Sequence, residues 1–94
     1  MTPVLVDTSV WIDFFKGVTN AKTELVKEYL EMEYPLFICP LILQEVLQGI
    51  RKDEDYLKVK HSMLNLEILM IDQMESSIGA ADLYRDLRKQ GMFI

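Results

Sequence analysis

Two acidic residues, Asp7 and Glu45, occupy positions in the sequence that favour catalysis or metal binding. Asp7 ends the apolar run of residues 4–6 and directly precedes a helical pattern. This order predicts an acid at the carboxyl end of a buried strand, where open α/β sheets place their ligand sites. Asp7 could instead cap the helix that follows, although Thr8 and Ser9 could fill that role without it.

Glu45 lies at the border of an apolar helix face, between the projected positions of Leu41 and Ile42. Gly49 follows one turn later and leaves room for an ion or for a close approach of backbone. The alternative is an ordinary boundary glutamate, with its stem on apolar surface and its carboxylate in water.

The two acids are more informative as a pair. If the first two strands are neighbours in a parallel sheet, the helix after the second strand begins at the edge that holds Asp7, and Asp7 and Glu45 converge there. Two close carboxylates repel one another unless a proton or a divalent cation lies between them. Because the donors are oxygens, we expect Mg²⁺ or Mn²⁺ rather than zinc.

The elements that must position these residues are predicted from an alternation of short apolar runs and amphipathic stretches, which is typical of an α/β fold. Strands are predicted at residues 4–6, 36–39 and 68–71, with a further extended segment at 92–94. Helices are predicted at residues 9–16, from Asn20 to a break at Tyr34 and Pro35, at 40–50, from Asp53 as a cap, and from Asp72 to Gly91. Since helices separate the strands, the sheet is predicted to be parallel.

Helical spacing also predicts which side chains are buried. Trp11, Phe14 and Phe15 are expected in the core rather than stacked on RNA. On the later helices the residues predicted on or, for the fourth helix, on or beside the inner face are Ala21, Leu25, Tyr29, Met32, Tyr56, Leu57, Lys60, Met63, Leu64, Met74, Ile78, Ala81, Leu83, Tyr84 and Leu87.

The composition of the chain argues against several classes of function. The 94 residues predict one small domain, and the net charge of −5 argues against broad, nonspecific binding of nucleic acid through a basic face. Local RNA contacts or, alternatively, charges that complement helix C-termini are expected at Arg51, Lys52, Arg85, Arg88 and Lys89. We expect no membrane span and no signal peptide. The single Cys39, predicted to be buried, fits a reducing cytoplasm.

Three stretches carry a family resemblance: VDTSVWID at residues 6–13, CPLILQEVLQG at 39–49 and AADLYRDLRKQG at 80–91. In this order they resemble PIN-domain ribonucleases, above all the VapC-type toxins of bacterial toxin–antitoxin pairs. The resemblance covers the whole chain and implies a PIN-like three-layer α/β sandwich with a short parallel sheet.

The resemblance also implies a Mg²⁺-dependent endoribonuclease, with Asp7 and Glu45 as metal ligands and Mn²⁺ as a substitute ion. Ser9 or Thr8 would orient Asp7 or the attacking water. The implied partners are an RNA substrate, tRNA in several relatives, a cognate antitoxin and a second copy of the chain.

The sequence departs from the family pattern because no further aspartate-bearing helix follows residue 91. We therefore expect an N-terminal portion of the domain that lacks the family's last helix and strands. Its Mg²⁺ site is expected to be weak and its nuclease activity low; the alternative is a non-catalytic chain that binds only antitoxin or itself. The first strand is expected to be an exposed apolar edge that promotes self-association.

For the other residues with ionisable side chains we expect structural roles rather than catalytic ones. His61 is expected to be neither base nor ligand. A phosphotransferase with an aspartyl nucleophile would need a second acid at the position of Ser9. The remaining aspartates, expected on solvated helix faces or as a cap, are Asp13, Asp72, Asp82 and Asp86.

Overall fold

The computed structural model describes residues 4–68 and 77–94. The elements are β1 (Val4–Leu5), α1 (Thr8–Phe15), α2 (Ala21–Glu31), β2 (Leu36–Ile38), α3 (Pro40–Gln48), α4 (Asp53–Leu64), β3 (Glu67–Ile68) and α5 (Ser77–Lys89). The strands form a parallel sheet in the order β1-β2-β3. This arrangement confirms the predicted α/β fold with a short parallel sheet. In the described part of the chain no helix is both long and apolar enough to span a membrane.

Local sequence signals explain where the first three helices begin. Asp7 is the N-cap of α1, and its side chain accepts a hydrogen bond from the Ser9 amide. Asn20 caps α2 through a capping box with Thr23, in which each side chain bonds the other's backbone amide. Pro40 opens α3, where its fixed φ suits the first turn and its missing N–H costs nothing.

The fourth helix begins differently from the prediction. Its N-cap is Lys52 rather than Asp53, and no side chain caps it. Asp53 is instead the first helical residue, where an acid still interacts favourably with the helix dipole. Residues 69–71 of the predicted third strand, together with Asp72 and Met74, lie outside the described residues.

The C-terminal segment corrects the expectation of an exposed first strand. The Leu5 amide donates to the Met92 carbonyl at 2.7 Å, and the Ile94 amide donates to the Leu5 carbonyl at 2.9 Å. Leu5 thus forms a parallel bridge with Phe93 on the side of β1 opposite β2. Because Gly91 adopts a φ of 71° after α5, the chain turns back to β1, and Val4 and Leu5 are buried.

The core surrounds β1 and β2. Leu5, Val6 and Ile38 are at most 2% exposed, and Trp11 of α1 packs on them at 1%. The Trp11 ring stacks on that of Phe15 with centroids 5.8 Å apart, and Phe14 joins edge-on. These contacts confirm that the aromatic residues of α1 belong to the core.

The predicted inner faces of α2 and α4 are partly wrong. On α2 the buried side chains are Thr23 and Val26, whereas Ala21 and Met32 are exposed. Apolar residues cover about half of the circumference of this helix. Their spacing alone therefore could not select which part of that broad face is buried.

The other differences between predicted and observed burial arise because only a narrow strip of the helix surface is buried. On α4, Val59 and Met63 are buried one turn apart, whereas Leu57 is 63% exposed and Leu64 53%. Lys60 is exposed as well. On α5, Ile78 and Ala81 are exposed, contrary to prediction, but Leu83, Tyr84 and Leu87 are half-buried as expected.

Candidate carboxylate site

The position of Asp7 fits both interpretations that the sequence left open, a helix cap and an acid at the end of a strand. It lies just beyond β1, at the carboxyl end of the strand, and it caps α1. One carboxylate oxygen, Oδ2, accepts a short hydrogen bond of 2.6 Å from Ser9 Oγ and a longer one of 3.3 Å from the Ser9 amide. Ser9 thus contacts Asp7 Oδ2 through both its hydroxyl and its amide. The roles that the resemblance implies for Ser9 and Thr8 in the reaction stay predictions.

Glu45 comes to the same region from α3. The Thr8 hydroxyl donates to Glu45 Oε1 at 3.5 Å, a long and weak hydrogen bond across 37 residues of sequence. This contact joins the N-terminus of α1 to α3, two helices that pack together. Glu45 thus lies beside the residue that follows Asp7, at the edge predicted from the parallel order of β1 and β2.

The spacing of Gly49 suggested room for an ion or a close approach of backbone, but no close approach requires a glycine at this position. A Cβ atom at Gly49 would lie 3.8 Å from Ile12 Cδ1 and 3.5 Å from the Val46 carbonyl oxygen, which are ordinary contacts. Its φ of −78° is open to any residue. Gly49 faces α1 at the helix crossing.

Tyr84 is a member of this region that its sequence position did not reveal. Its hydroxyl lies 3.3 Å from the Sγ of Cys39, the N-cap residue of α3. Its ring meets Phe93 edge-on at 5.2 Å between centroids. Helical spacing predicted an inward residue on α5, but only the packing of α5 near the ends of β1 and β2 brings the phenol to the acids.

The charges of this region act on the Tyr84 phenol. Burial raises the pKa of Tyr84 well above its ordinary value, and the hydrogen bond with Cys39 raises it further. Electrostatic interactions with Cys39 and with the carboxylates of Glu45 and Asp7 raise the pKa of Tyr84 further still. A tyrosine is already neutral at physiological pH, and the raised pKa keeps the Tyr84 hydroxyl neutral at higher pH as well.

The donor set at this edge consists of oxygen atoms. Carboxylates from Asp7 and Glu45, with the hydroxyls of Thr8 and Ser9 beside them, fit a hard divalent ion such as Mg²⁺ or Mn²⁺. Over residues 4–68 and 77–94, no cluster of three His, Cys, Asp or Glu side chains is placed to hold a metal. A metal held here by described residues would therefore rest on two carboxylates.

The remaining candidate residues differ in their exposure to solvent. Cys39 is 1% exposed, which confirms that it is buried. His61, Asp82 and Asp86 are exposed on α4 and α5. Asp13 is half-buried on α1, where it was expected on a solvated face.

The basic residues divide into two groups. Arg88 and Lys89 occupy the last turn of α5, where the helix dipole favours cations, and the Arg88 guanidinium lies 5.1 Å from the Phe93 ring centroid. Arg51 and Lys52 lie between α3 and α4, and Lys52 stands at a helix N-terminus, where the dipole disfavours a cation. A favourable interaction with a helix dipole thus explains the positions of Arg88 and Lys89 but not that of Lys52.

Comparison with known proteins gives two findings. A family model described as PIN domain matches residues 4–91. VapC ribonuclease Mb1587 of Mycobacterium bovis and Ribonuclease VapC11 of Mycobacterium tuberculosis are each 27% identical to this chain over 89 residues, which is 94% of its length. The chain spans 66% of the length of each of these curated relatives. The matches confirm the resemblance that the three sequence motifs predicted.

Proposed function

Since this chain belongs to the PIN domain family, we propose that it acts as a metal-dependent endoribonuclease of the VapC type. The reaction is hydrolysis of RNA phosphodiester bonds at the sheet edge that holds Asp7 and Glu45. The observation that carries the proposal is the contact from Thr8, the residue after Asp7, to Glu45 across the α1–α3 interface. It supports a single carboxylate site built from two of the three motifs.

In the proposed reaction Asp7 and Glu45 hold the metal, and Mg²⁺ is the ion that best suits their oxygens. When bound, the ion supplies a water of lowered pKa and neutralises charge on the scissile phosphate. Ser9 holds Asp7 in a fixed orientation through its 2.6 Å hydrogen bond, and Thr8 restrains Glu45. Tyr84, as a neutral donor beside both acids, adds no charge that would compete with phosphate.

Two carboxylates suffice for a weak Mg²⁺ site, because Mg²⁺ keeps several waters and often binds only one or two carboxylates plus phosphate oxygens. We therefore expect cleavage by these 94 residues to be slow and to need a high Mg²⁺ concentration. A cognate antitoxin and a second copy of the chain are the protein partners that this assignment proposes.

The test is cleavage of a total tRNA preparation with and without Mg²⁺, using the wild-type chain, Asp7→Asn and Glu45→Gln. Both substitutions remove a charge while keeping the shape of the side chain. We expect Mg²⁺-dependent fragments from the wild type and none from Asp7→Asn or Glu45→Gln. Asp82→Asn, which removes an exposed carboxylate of α5, is the matched control and should cleave like the wild type. Equal cleavage by Asp7→Asn and wild type would contradict the proposal; antitoxin binding without any cleavage would favour the non-catalytic alternative.

A further inference from the structure

A groove lies between α1, α3 and α4 in the described part of the chain. Its volume is about 760 Å³, within the range of ligand-binding clefts. Its apolar lining comes from Ile12, Phe15, Val46, Ile50 and Val59.

Four exposed cations line the same groove, and with its apolar floor they define what we call the basic groove: Lys16, Arg51, Lys52 and Lys58. One carboxylate, Asp55, shares the lining. Four cations against one carboxylate give the lining of this groove a net positive charge, although the whole chain has a net charge of −5.

The cations of the basic groove lack partners within the described part of the chain. None of them forms an ion pair or a cation–π contact there. Other cations are engaged, since Lys60 lies 5.9 Å from the Tyr56 ring centroid and Arg88 lies over Phe93. The groove cations are therefore free to bind an external anion.

The basic groove adjoins the carboxylate site along two helices. Gly49, in its lining, lies one turn after Glu45, which corresponds to about 6 Å along the axis of α3. Ile12 lies on α1, the helix that Asp7 caps. A polyanion with one phosphate at the carboxylates would carry its neighbouring phosphates toward the groove.

We infer that the basic groove binds a single-stranded segment of the RNA substrate next to the scissile phosphate. The cations contact phosphates, and the apolar floor accepts an unstacked base, as in other single-strand binding sites. The inference rests on the proposed function for the identity of the polyanion. Continuity with the carboxylate site favours RNA over the other occupant that this chemistry admits, an acidic amphipathic protein segment.

The test measures binding of a fluorescent single-stranded RNA by anisotropy, in EDTA so that no cleavage occurs, at several salt concentrations. The variant is the double substitution Arg51→Gln and Lys52→Gln. Its matched control is Lys22→Gln with Lys27→Gln, which removes the same charge from exposed positions of α2 outside the groove. Thermal melts establish that both variants fold.

Loss of two phosphate contacts should lower the affinity about ten- to thirtyfold near 0.1 M salt, and the salt dependence should become shallower by about 0.7 for each cation removed. The control should stay within about twofold of wild type, since distant exposed charges are largely screened at that salt concentration. Equal RNA affinity of the groove variant and its control would overturn the inference, as would failure of the wild type to bind RNA. Weakened binding of an acidic amphipathic peptide with unchanged RNA binding would do the same and make the groove a protein-docking surface.

Cleavage assays separate this inference from the proposed function. Asp7→Asn should lose cleavage in Mg²⁺ but should not show the loss of RNA affinity that the groove variant shows in EDTA, since it removes a negative charge and no cation. If the wild type cleaves no RNA but the groove variant still loses affinity, the proposed function fails and the groove assignment stands.

Discussion

The two roles of Asp7, helix cap and metal ligand, can be separated by comparing Asp7→Ala with Asp7→Asn. Alanine removes the oxygen that accepts from the Ser9 amide and hydroxyl. Loss of an N-cap costs about 0.5–2 kcal/mol, and we expect about 1 kcal/mol here because the Ser9 amide contact is long and Ser9 is open to water. For a domain of this size that corresponds to a fall in Tm of roughly 4–8 °C.

Asparagine keeps a capping oxygen and ranks with aspartate as an N-cap. Only the favourable interaction of a charge with the helix dipole is lost, and alanine loses that interaction too, so Asp7→Asn should cost less than Asp7→Ala, about 0.3 kcal/mol at a salt concentration that screens the dipole. Metal binding, however, should be lost in both variants. A Mn²⁺ concentration ten times Kd stabilises the wild type by about 1.4 kcal/mol, or roughly 6–11 °C in Tm.

The assay is a thermal melt followed by circular dichroism, with and without Mn²⁺. Asn20→Ala is the control, since it removes the cap of α2 at similar cost but should keep the full Mn²⁺-induced rise in Tm. A wild-type rise in Tm that persists in Asp7→Asn would refute the assignment of the carboxylate as a ligand. Equal destabilisation by asparagine and alanine would refute the capping role.

Three further outcomes are expected from the same structure. Leu5→Ala should lower the free energy of unfolding by about 2–5 kcal/mol in urea titrations, because Leu5 is 2% exposed and lies between β2 and the C-terminal segment. A cost below about 1 kcal/mol would contradict that packing. Deletion of residues 92–94 should uncover the edge of β1 and cause concentration-dependent association in light scattering, whereas a monodisperse monomer would show that these residues do not protect it. The stability contributed by the neutral Tyr84 phenol is full below the ordinary tyrosine pKa of about 10 and is lost as the pH rises above it, since the unfolded chain ionises first. Tyr84→Phe should therefore lose less stability than wild type between about pH 9 and 11, and equal losses would contradict the buried placement of the phenol.

Strong local signals predicted the order of the elements and the position of Asp7. The acid follows an apolar run, Asn20 has its capping partner three residues on, and Pro40 stands at a helix start. Each of these signals acts within one turn of backbone, so its effect on structure is nearly independent of the rest of the chain. The parallel sheet is then a consequence of the helical connections.

Features that depend on tertiary packing could not be predicted in this way. The pairing of Leu5 with Phe93 joins residues 88 positions apart in sequence, and no local pattern specifies which edge a terminal segment will cover. The same holds for Tyr84, which reaches the acids only because α5 packs near the ends of β1 and β2. On α4 apolar side chains occur on more than one side, and the docking of the helix selects Val59 and Met63 over Leu57.

The central claim is that Asp7 and Glu45 bind one divalent ion together. It is tested most directly by adding Mn²⁺ in small amounts to the isotopically labelled chain and recording which amide resonances broaden in NMR spectra. We predict that broadening centres on the backbone of Asp7, Thr8 and Glu45, and that Glu45→Gln abolishes it. Broadening centred instead on the acidic first turn of α4, with the resonances around Asp7 and Glu45 unchanged, would contradict the claim.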